Sequence, residues 1–341
     1  MLGLATIKDV AQLANVSPST VSRVIADSKR ISDETKERVK AAMQQLHYHP
    51  NLIARSLIRR SSQTLGLVLS RSTDSAFSNP FFPEILRGIS AVSKSYHYGL
   101  MLAAAEDYAE EAKLCLKMMT ERRVDGVLLL ASRVNDGLIR ELSASDCPFV
   151  VLGRAPESLK CYSVNNDNIQ AAYSAVRHLL NLGHQRIALL NGPADYIFCQ
   201  DRFEGYRFAF REFGIEHDPE WIKSGSLTQE DGYRLTRELF QLDPAPSAIF
   251  CVDDVMAIGA YQAIKERGLT IPGDIAVVGF NDDPLASVIE PHLTTVRIPI
   301  YEMGVTATQM IIRILEGNEP LPFQRVLSSE LVIRQSCGAN P

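Results

Sequence analysis

The chain has 341 residues, 46% of them hydrophobic and 22% charged, with a formal net charge of −5. That length can bury two or three separate cores, while no apolar run approaches the eighteen or so residues that span a bilayer, so a soluble, cytoplasmic protein without a membrane partner is expected. The six cysteines, Cys115, Cys147, Cys161, Cys199, Cys251 and Cys337, form no C-x-x-C pair and lie at no ligand spacing from a histidine, which argues against a disulfide framework or a zinc site and for reduced core residues.

The charge is unevenly placed. Residues 1–62 carry ten Lys and Arg against five Asp and Glu, whereas the remainder carries 25 against 35. A basic end on an acidic body suits a chain that binds polyanion at one end and keeps the other off it.

That basic end reads as short helices. Thr6-Ile7-Lys8-Asp9 has the Ser/Thr-x-x-Asp/Glu spacing of a helix start, and Ile7, Val10, Ala11 and Ala14 recur at helical period. Asn15-Val16 makes a turn. Ser17-Pro18 restarts a helix, with serine as N-cap and proline at the first helical position, where its missing N–H costs nothing. Two short helices joined by a few residues match a helix-turn-helix unit, whose second helix enters the major groove.

In that second helix Val21, Val24 and Ile25 form the buried stripe, leaving a surface of small polar groups and one long cation. Arg23 has the fork to pair bidentately with guanine, and the hydroxyls of Thr20 and Ser22 suit phosphate oxygens. With Pro18 and Ser19, and with Thr6, Lys8 and Ser17 nearby, they are the candidate DNA contacts; a solvated face of an ordinary helical bundle is the alternative. Ser32-Asp33-Glu34 opens a third helix with Val39, Ala42, Met43 and Leu46 on its apolar face. The run from Tyr48 to Leu57 then promises barely two helical turns, too few to hold in water without a partner. A second copy on DNA supplies one, with Asn51, Ala54 and Leu57 as candidate DNA contacts and Leu57 pressed between base steps of the minor groove.

These three motifs, 6–11, 16–24 and 50–57, in order and at this spacing, resemble the headpiece and hinge helix of the lactose-repressor/galactose-repressor (LacI/GalR) family. Within it the chain is most similar to Gram-positive maltose-operon repressors, through Asn79-Pro80-Phe81-Phe82-Pro83-Glu84 and Arg122-Arg123-Val124-Asp125-Gly126.

From residue 61 onward the pattern changes. Short apolar runs at 65–69, 100–104, 127–130, 149–152, 187–190, 248–252 and 276–280 alternate with helical stretches. Continuous apolar strands separated by amphipathic helices predict parallel sheets covered on both faces, and the number of runs suggests two of them. The resemblance implies more: a two-lobed, periplasmic-binding-protein-like α/β core behind an all-α helix-turn-helix headpiece. It implies chain crossings near 162–166, 295–298 and 326–329. The headpiece would be 1–50, the hinge and linker 51–62, and the core 63–341. The lobes would be 63–164 with 297–327, and 165–296 with 328–341.

Ligands of such sheets bind at the carboxyl ends of the strands. The polar groups expected there are amides, carboxylates and guanidinium groups that bracket hydroxyls, with aromatic rings for the C–H face of a sugar. The candidates are Phe82, from a Phe81–Phe82 pair that is either all core or has one ring packed and the other facing the cleft, Arg154, Asp167, Arg202, whose alternative is a lobe-stabilising ion pair, Asp253 and Asn281. The resemblance adds that positions matching Arg202, Asp253 and Asn281 commonly bind effector. The chain departs from the lactose-type pattern in having Asp at 253 and Asn at 281 where Asn and Asp are often found, and Leu227 stands where sugar sensors are often aromatic. Asp254 and Asp283 are better suited to helix N-caps than to ligand contact.

No G-x-S-x-G, P-loop or G-x-G-x-x-G is present, the histidines do not cluster with a nucleophile, and no cofactor is implied. The expectation is a homodimeric repressor of carbohydrate-utilisation genes, bound to pseudo-palindromic operator DNA and controlled by a sugar. Related regulators imply one further partner, a phosphocarrier-type corepressor protein docking around 83–95. The chain carries no leucine heptads that would add a tetramerisation coil.

Overall fold

A computed structural model describes residues 5–25, 28, 30–48, 61–69, 79–130, 132–156, 159, 161–318 and 322–339. The headpiece comprises α1 (Ile7–Leu13), α2 (Pro18–Ile25) and α3 (Asp33–Gln45). Their inward faces meet in a small core of Val10, Ala11, Ala14, Val21, Val24, Val39 and Ala42.

The body is two α/β lobes. The first sheet is built from β1 (Thr64–Leu69), β2 (Gly99–Ala104), β3 (Gly126–Leu129), β4 (Phe149–Leu152), β5 (Ser163–Asn166) and β11 (Gln324–Leu327), in the order β11-β5-β4-β3-β1-β2. The second holds β6 (Ile187–Asn191), β7 (Ile222–Ser224), β8 (Ala248–Cys251), β9 (Ala276–Asn281), β10 (Thr294–Arg297) and β12 (Glu330–Val332), in the order β12-β10-β9-β8-β6-β7. All pairings are parallel except β12 on β10. Strands β3, β4, β6, β8 and β9 are buried along their whole length, which is why they read as unbroken apolar runs rather than alternating ones.

Helices α4 (Phe81–Ser95), α5 (Tyr108–Thr120), α6 (Gly137–Ser143) and α11 (Ile300–Leu315) cover the first sheet, and α7 (Asn168–Asn181), α8 (Ile197–Glu212), α9 (Gln229–Leu239) and α10 (Asp254–Glu266) the second. α4 and α11 cross at van der Waals contact of their backbones. A Cβ on Gly88 would lie 2.2 Å from the Tyr301 carbonyl oxygen, and one on Gly304 2.5 Å from that of Ile85, so only glycine allows this approach.

The chain passes between the sheets at Asp167, at Ile298–Pro299 and at Ser328–Ser329. The first passage falls two residues beyond the expected 164/165 boundary, because pairing of β5 with β11 continues through Asn166. Among the described residues none of the six cysteines forms a disulfide; five are buried and Cys147 is half-buried. Among the described residues no helix is long and apolar enough to cross a membrane.

Candidate functional site

Two surfaces carry the chemistry. On the headpiece, Thr6 and Asp9 form a reciprocal capping box: the Asp9 amide donates to Thr6 Oγ1 at 3.4 Å, and the Thr6 amide donates to Asp9 Oδ2 at 2.7 Å. The Thr6 amide, and the Thr6 hydroxyl donating to the same oxygen at 2.8 Å, hold the Asp9 carboxyl below its ordinary range. Ser17 Oγ accepts the Thr20 amide at 3.1 Å and fixes the start of α2. With Val21 and Val24 turned inward, Ser17, Pro18, Ser19 and Arg23 are exposed and Thr20 and Ser22 half-buried; Thr6 and Lys8 are exposed on α1. The polar residues of α2 therefore present a surface that can approach a groove. Asn51, Ala54 and Leu57 lie outside the described residues.

The second surface is a cleft between the lobes with about 760 Å³ of space free of protein atoms, counting its opening to solvent. Asn79, Phe81 and Phe82 enter it from the first lobe at the start of α4, and Arg154 from the end of β4. Phe82 also belongs to the core and stands edge-on to Phe81, with ring centroids 5.5 Å apart. Asn165 and Asn166 lie at the first crossing. The second lobe contributes Asn168, Tyr196, Phe198, Arg202, Asp253 and Asn281.

Arg202 is fully buried. Its Nε donates to Asn168 Oδ1 at 2.9 Å and its Nη1 to the Val252 carbonyl, while Phe280 and Phe198 flank the guanidinium at 3.7 and 5.0 Å. Burial pulls its pKa down to about 10, so it stays a cation at neutral pH. Asp253 is the N-cap of α10: Oδ1 accepts the Val255 amide at 2.9 Å. Its Oδ2 accepts from Asn281 Nδ2 at 3.1 Å and, across the cleft, from Asn79 Nδ2 at 3.3 Å.

Asn281 and Asp282 both have positive φ, +119° and +59°, a strain of roughly 1–3 kcal/mol each that the surroundings must hold. Asp282 does so by ion-pairing to Arg297 and Arg334, each at 2.6 Å, which leaves Asn281 aimed into the cleft. One margin of the cleft is bridged by backbone, the Val134 amide donating to the Asp195 carbonyl at 3.0 Å and the Ile197 amide to that of Ser132 at 3.1 Å.

Residues 6–51 match the lacI family of bacterial regulatory proteins, and residues 176–337 match the periplasmic binding protein-like domain. The HTH-type transcriptional repressor CytR of Escherichia coli K12 is 34% identical over 337 residues, covering 99% of this chain and 97% of that one. The chain belongs to the lacI family. The HTH-type transcriptional regulator MalR of Streptococcus pneumoniae is 37% identical, with 96% of this chain and 98% of MalR covered. Among solved structures, the transcriptional regulator CelR–cellobiose complex superposes with a TM-score of 0.76 at 32% identity, over 97% of this chain and 99% of that one.

Against the lacI-family expectations, five of the six effector candidates line the cleft: Phe82, Arg154, Arg202, Asp253 and Asn281. Asp167 does not. It is exposed and caps α7 by accepting the Gln170 amide at 3.0 Å, and its neighbour Asn168 is the residue turned inward. Tyr196, Phe198 and Asn165 were not anticipated; no sequence period marks an asparagine or ring as facing a cleft. Leu227 does line it, at φ +60°, an aliphatic side chain at the position where sugar sensors are often aromatic.

The two capping aspartates are corrected as well. Asp253, not Asp254, caps α10. Asp254 is the first helical residue and turns inward, accepting Thr295 Oγ1 at 2.7 Å and the Asp283 amide at 2.8 Å. Asp283 begins a short 3-10 turn but its side chain caps nothing, and among the described residues its buried Oδ2 has no partner. Burial raises both carboxyls, Asp283 the more, to about 9.

A raised carboxyl favours the fold fully below its unfolded pKa near 3.8 and loses that contribution as pH climbs towards the raised value. Asp283→Asn, neutral at every pH, removes the loss. Its stability advantage over the parent is expected to grow by ~1–3 kcal/mol between pH 5 and pH 8 in urea unfolding; a parent equally stable at both pH values would contradict this.

Proposed function

We propose that this protein is a homodimeric transcriptional repressor of carbohydrate-utilisation genes, whose operator affinity is set by a small sugar, of the maltose type, bound between the lobes. The observation that carries the reading is the cleft lining. Amides, a carboxylate and a buried guanidinium supply donors and acceptors for a ring of hydroxyls, and Phe81, Tyr196 and Phe198 supply surface for its C–H faces. CelR with cellobiose is a disaccharide complex in a relative of full-length similarity, and the resemblance to Gram-positive maltose-operon repressors through residues 79–84 and 122–126 favours the maltose type.

In operator DNA, α2 of each copy would lie in a major groove, with Pro18, Ser19 and Arg23 setting base preference and Leu57 acting between half-sites. Pairing of two copies is supported by the edge strand β2, where Leu100 and Leu102 share one outer face and are both exposed. An uncovered apolar edge strand in a parallel sheet calls for a partner surface.

The test is a melting screen of the full chain against glucose, maltose, cellobiose and nucleosides. A ligand at a hundred times its Kd stabilises by about 2.7 kcal/mol, or roughly 5–10 °C for a core of this size. Maltose is expected to give the largest shift and to change operator affinity in a binding titration. A shift only with nucleosides would overturn the sugar reading, and one only with cellobiose would overturn the maltose type.

A further inference from the structure

At the margin where backbone bonds join residues 132–134 to 195–197, one side chain also spans the two lobes. Arg133 follows β3 in the first lobe and is buried. Its Nη1 donates to Glu111 Oε2 on α5 at 2.9 Å, and that carboxylate is buried as well. The guanidinium lies over the Tyr108 ring at 4.4 Å. Tyr108 is itself fixed, its hydroxyl donating to Asp136 Oδ1 and accepting the Leu138 amide, both at 2.8 Å. Asp136 Oδ2 in turn accepts the Arg133 amide at 3.2 Å. All of these partners belong to the first lobe.

The outer side of the same guanidinium meets the second lobe. Nη2 donates to the Tyr196 hydroxyl at 3.3 Å, Nε lies 3.5 Å from Asp195 Oδ2, and the Tyr196 ring is 5.0 Å away. These contacts are longer, and the Asp195 side chain keeps 59% of its surface exposed. Arg133 is thus anchored in one lobe by a short, dry ion pair and touches the other through long contacts, one of them to a wet partner. Parting the lobes releases Asp195 and Tyr196, which costs little, and leaves Glu111 satisfied, whose loss would cost much. A contact made to open and close needs that asymmetry.

We propose that Arg133 is a positioning residue, a clasp that holds the lobes together over a bound ligand and seats Tyr196 against it. The inference rests on the reading of the cleft as the ligand site. Arg133 is not part of the lining, but its neighbour Ser132 and the Tyr196 that it holds both are. Tyr196 also stands at the start of α8, the helix from which Arg202 reaches the cleft. A ligand that enters between parted lobes is held when they meet, so its apparent affinity scales with the population of the closed arrangement. Arginine suits the task because its planar fork offers separate N–H groups to a carboxylate on one side and a hydroxyl on the other. The ammonium of a lysine is a point charge that serves one side at a time.

The experiment compares the parent with Arg133→Lys, both as full chains, by amide hydrogen exchange and by the rate of ligand release. The substitution keeps a cation for Glu111 and gives up the fork. Without ligand, the Val134 and Ile197 amides, which bond across the lobes, are expected to exchange roughly fivefold faster or more in the variant, while amides inside β3 and β6 keep their rates. Whichever of glucose, maltose, cellobiose and cytidine stabilises the parent most is expected to leave the variant roughly fivefold faster or more. A smaller acceleration at the two amides, or in release, overturns the proposal. So does equal acceleration inside β3, which marks a role confined to the stability of the first lobe. If Arg133→Lys does not fold, Glu111→Gln combined with Arg133→Met removes both buried charges together and is read in its place. If the parent binds none of the four compounds, the reading of the cleft falls, and exchange at the two amides alone decides whether Arg133 clasps the lobes.

Discussion

Arg202→Met is expected to lower effector affinity at least 100-fold while changing the stability of the fold by less than about 2 kcal/mol. The first half follows from charge-assisted hydrogen bonds, each contributing roughly 1.5–3 kcal/mol. Two to a sugar hydroxyl or ring oxygen make ~3–4 kcal/mol, a factor of a hundred or more in Kd.

The second half follows from opposed terms. Losing the guanidinium leaves Asn168 Oδ1 and the Val252 carbonyl without a donor, at about 1–3 kcal/mol each. Against that, burial has already pulled Arg202 down to about 10, so the folded site disfavours the charge at neutral pH, and a neutral side chain recovers that difference. Methionine also fills the slot between Phe198 and Phe280 with a polarisable chain rather than a cavity. Calorimetry with the sugar from the melting screen and urea unfolding of the same preparation read the two halves. An unchanged sugar affinity would reduce Arg202 to a structural residue, and a loss of more than about 4 kcal/mol of stability would mean the orphaned acceptors dominate.

The contrast between what local chemistry and distant packing each decide runs through the whole molecule. The three headpiece helices begin where the sequence signals place them, because Thr6, Ser17 and Ser32 act on amides three residues away and need nothing else. Strands β3, β4, β6, β8 and β9 were legible as short apolar runs, whereas β5, equally buried but reading Ser-Val-Asn-Asn, was not. β7 and β12, three residues each and only partly buried, leave no such mark.

At the cleft, errors came in steps of one residue. The sequence points to Asp167 where Asn168 turns inward, and to Asp254 as the cap where Asp253 is. At the junction of a strand or crossing with a helix, consecutive side chains point to opposite sides, and nothing in the letters says which of two adjacent polar residues caps and which faces the ligand. The Arg154–Asp201 pair joins residues 47 apart on different lobes, and its existence depends on how the lobes meet. Each partner is visible in the sequence; their pairing is not.

The remaining large effect concerns how the cleft reaches the DNA-binding end. Residues 61–63, where the linker ends and the core begins, are gathered by one carboxylate at the foot of β3. Asp125 accepts from Ser61 Oγ at 2.6 Å, from the Ser62 amide and hydroxyl at 2.6 and 2.9 Å, and from the Gln63 amide at 2.9 Å. The backbone on either side is locked to the sheet, the Gly99 amide donating to the Gln63 carbonyl and the Asp125 amide to that of Thr64, both at 2.8 Å. These bonds make Asp125 the expected joint through which a ligand-driven rearrangement of the first lobe would reach the linker. Asp125→Ala removes that joint without touching the cleft, and the half-buried donors it releases can turn to water. Sugar affinity is expected to stay within about threefold of the parent, well under 1 kcal/mol. The ratio of operator affinities with and without sugar should fall towards one, from a parent ratio of roughly 5–150-fold, the usual range of such coupling. Operator titrations at saturating and zero sugar measure that ratio. If it survives in a variant that still binds sugar, the signal travels by another route, and a carboxylate with four hydrogen bonds merely ties down the start of β1.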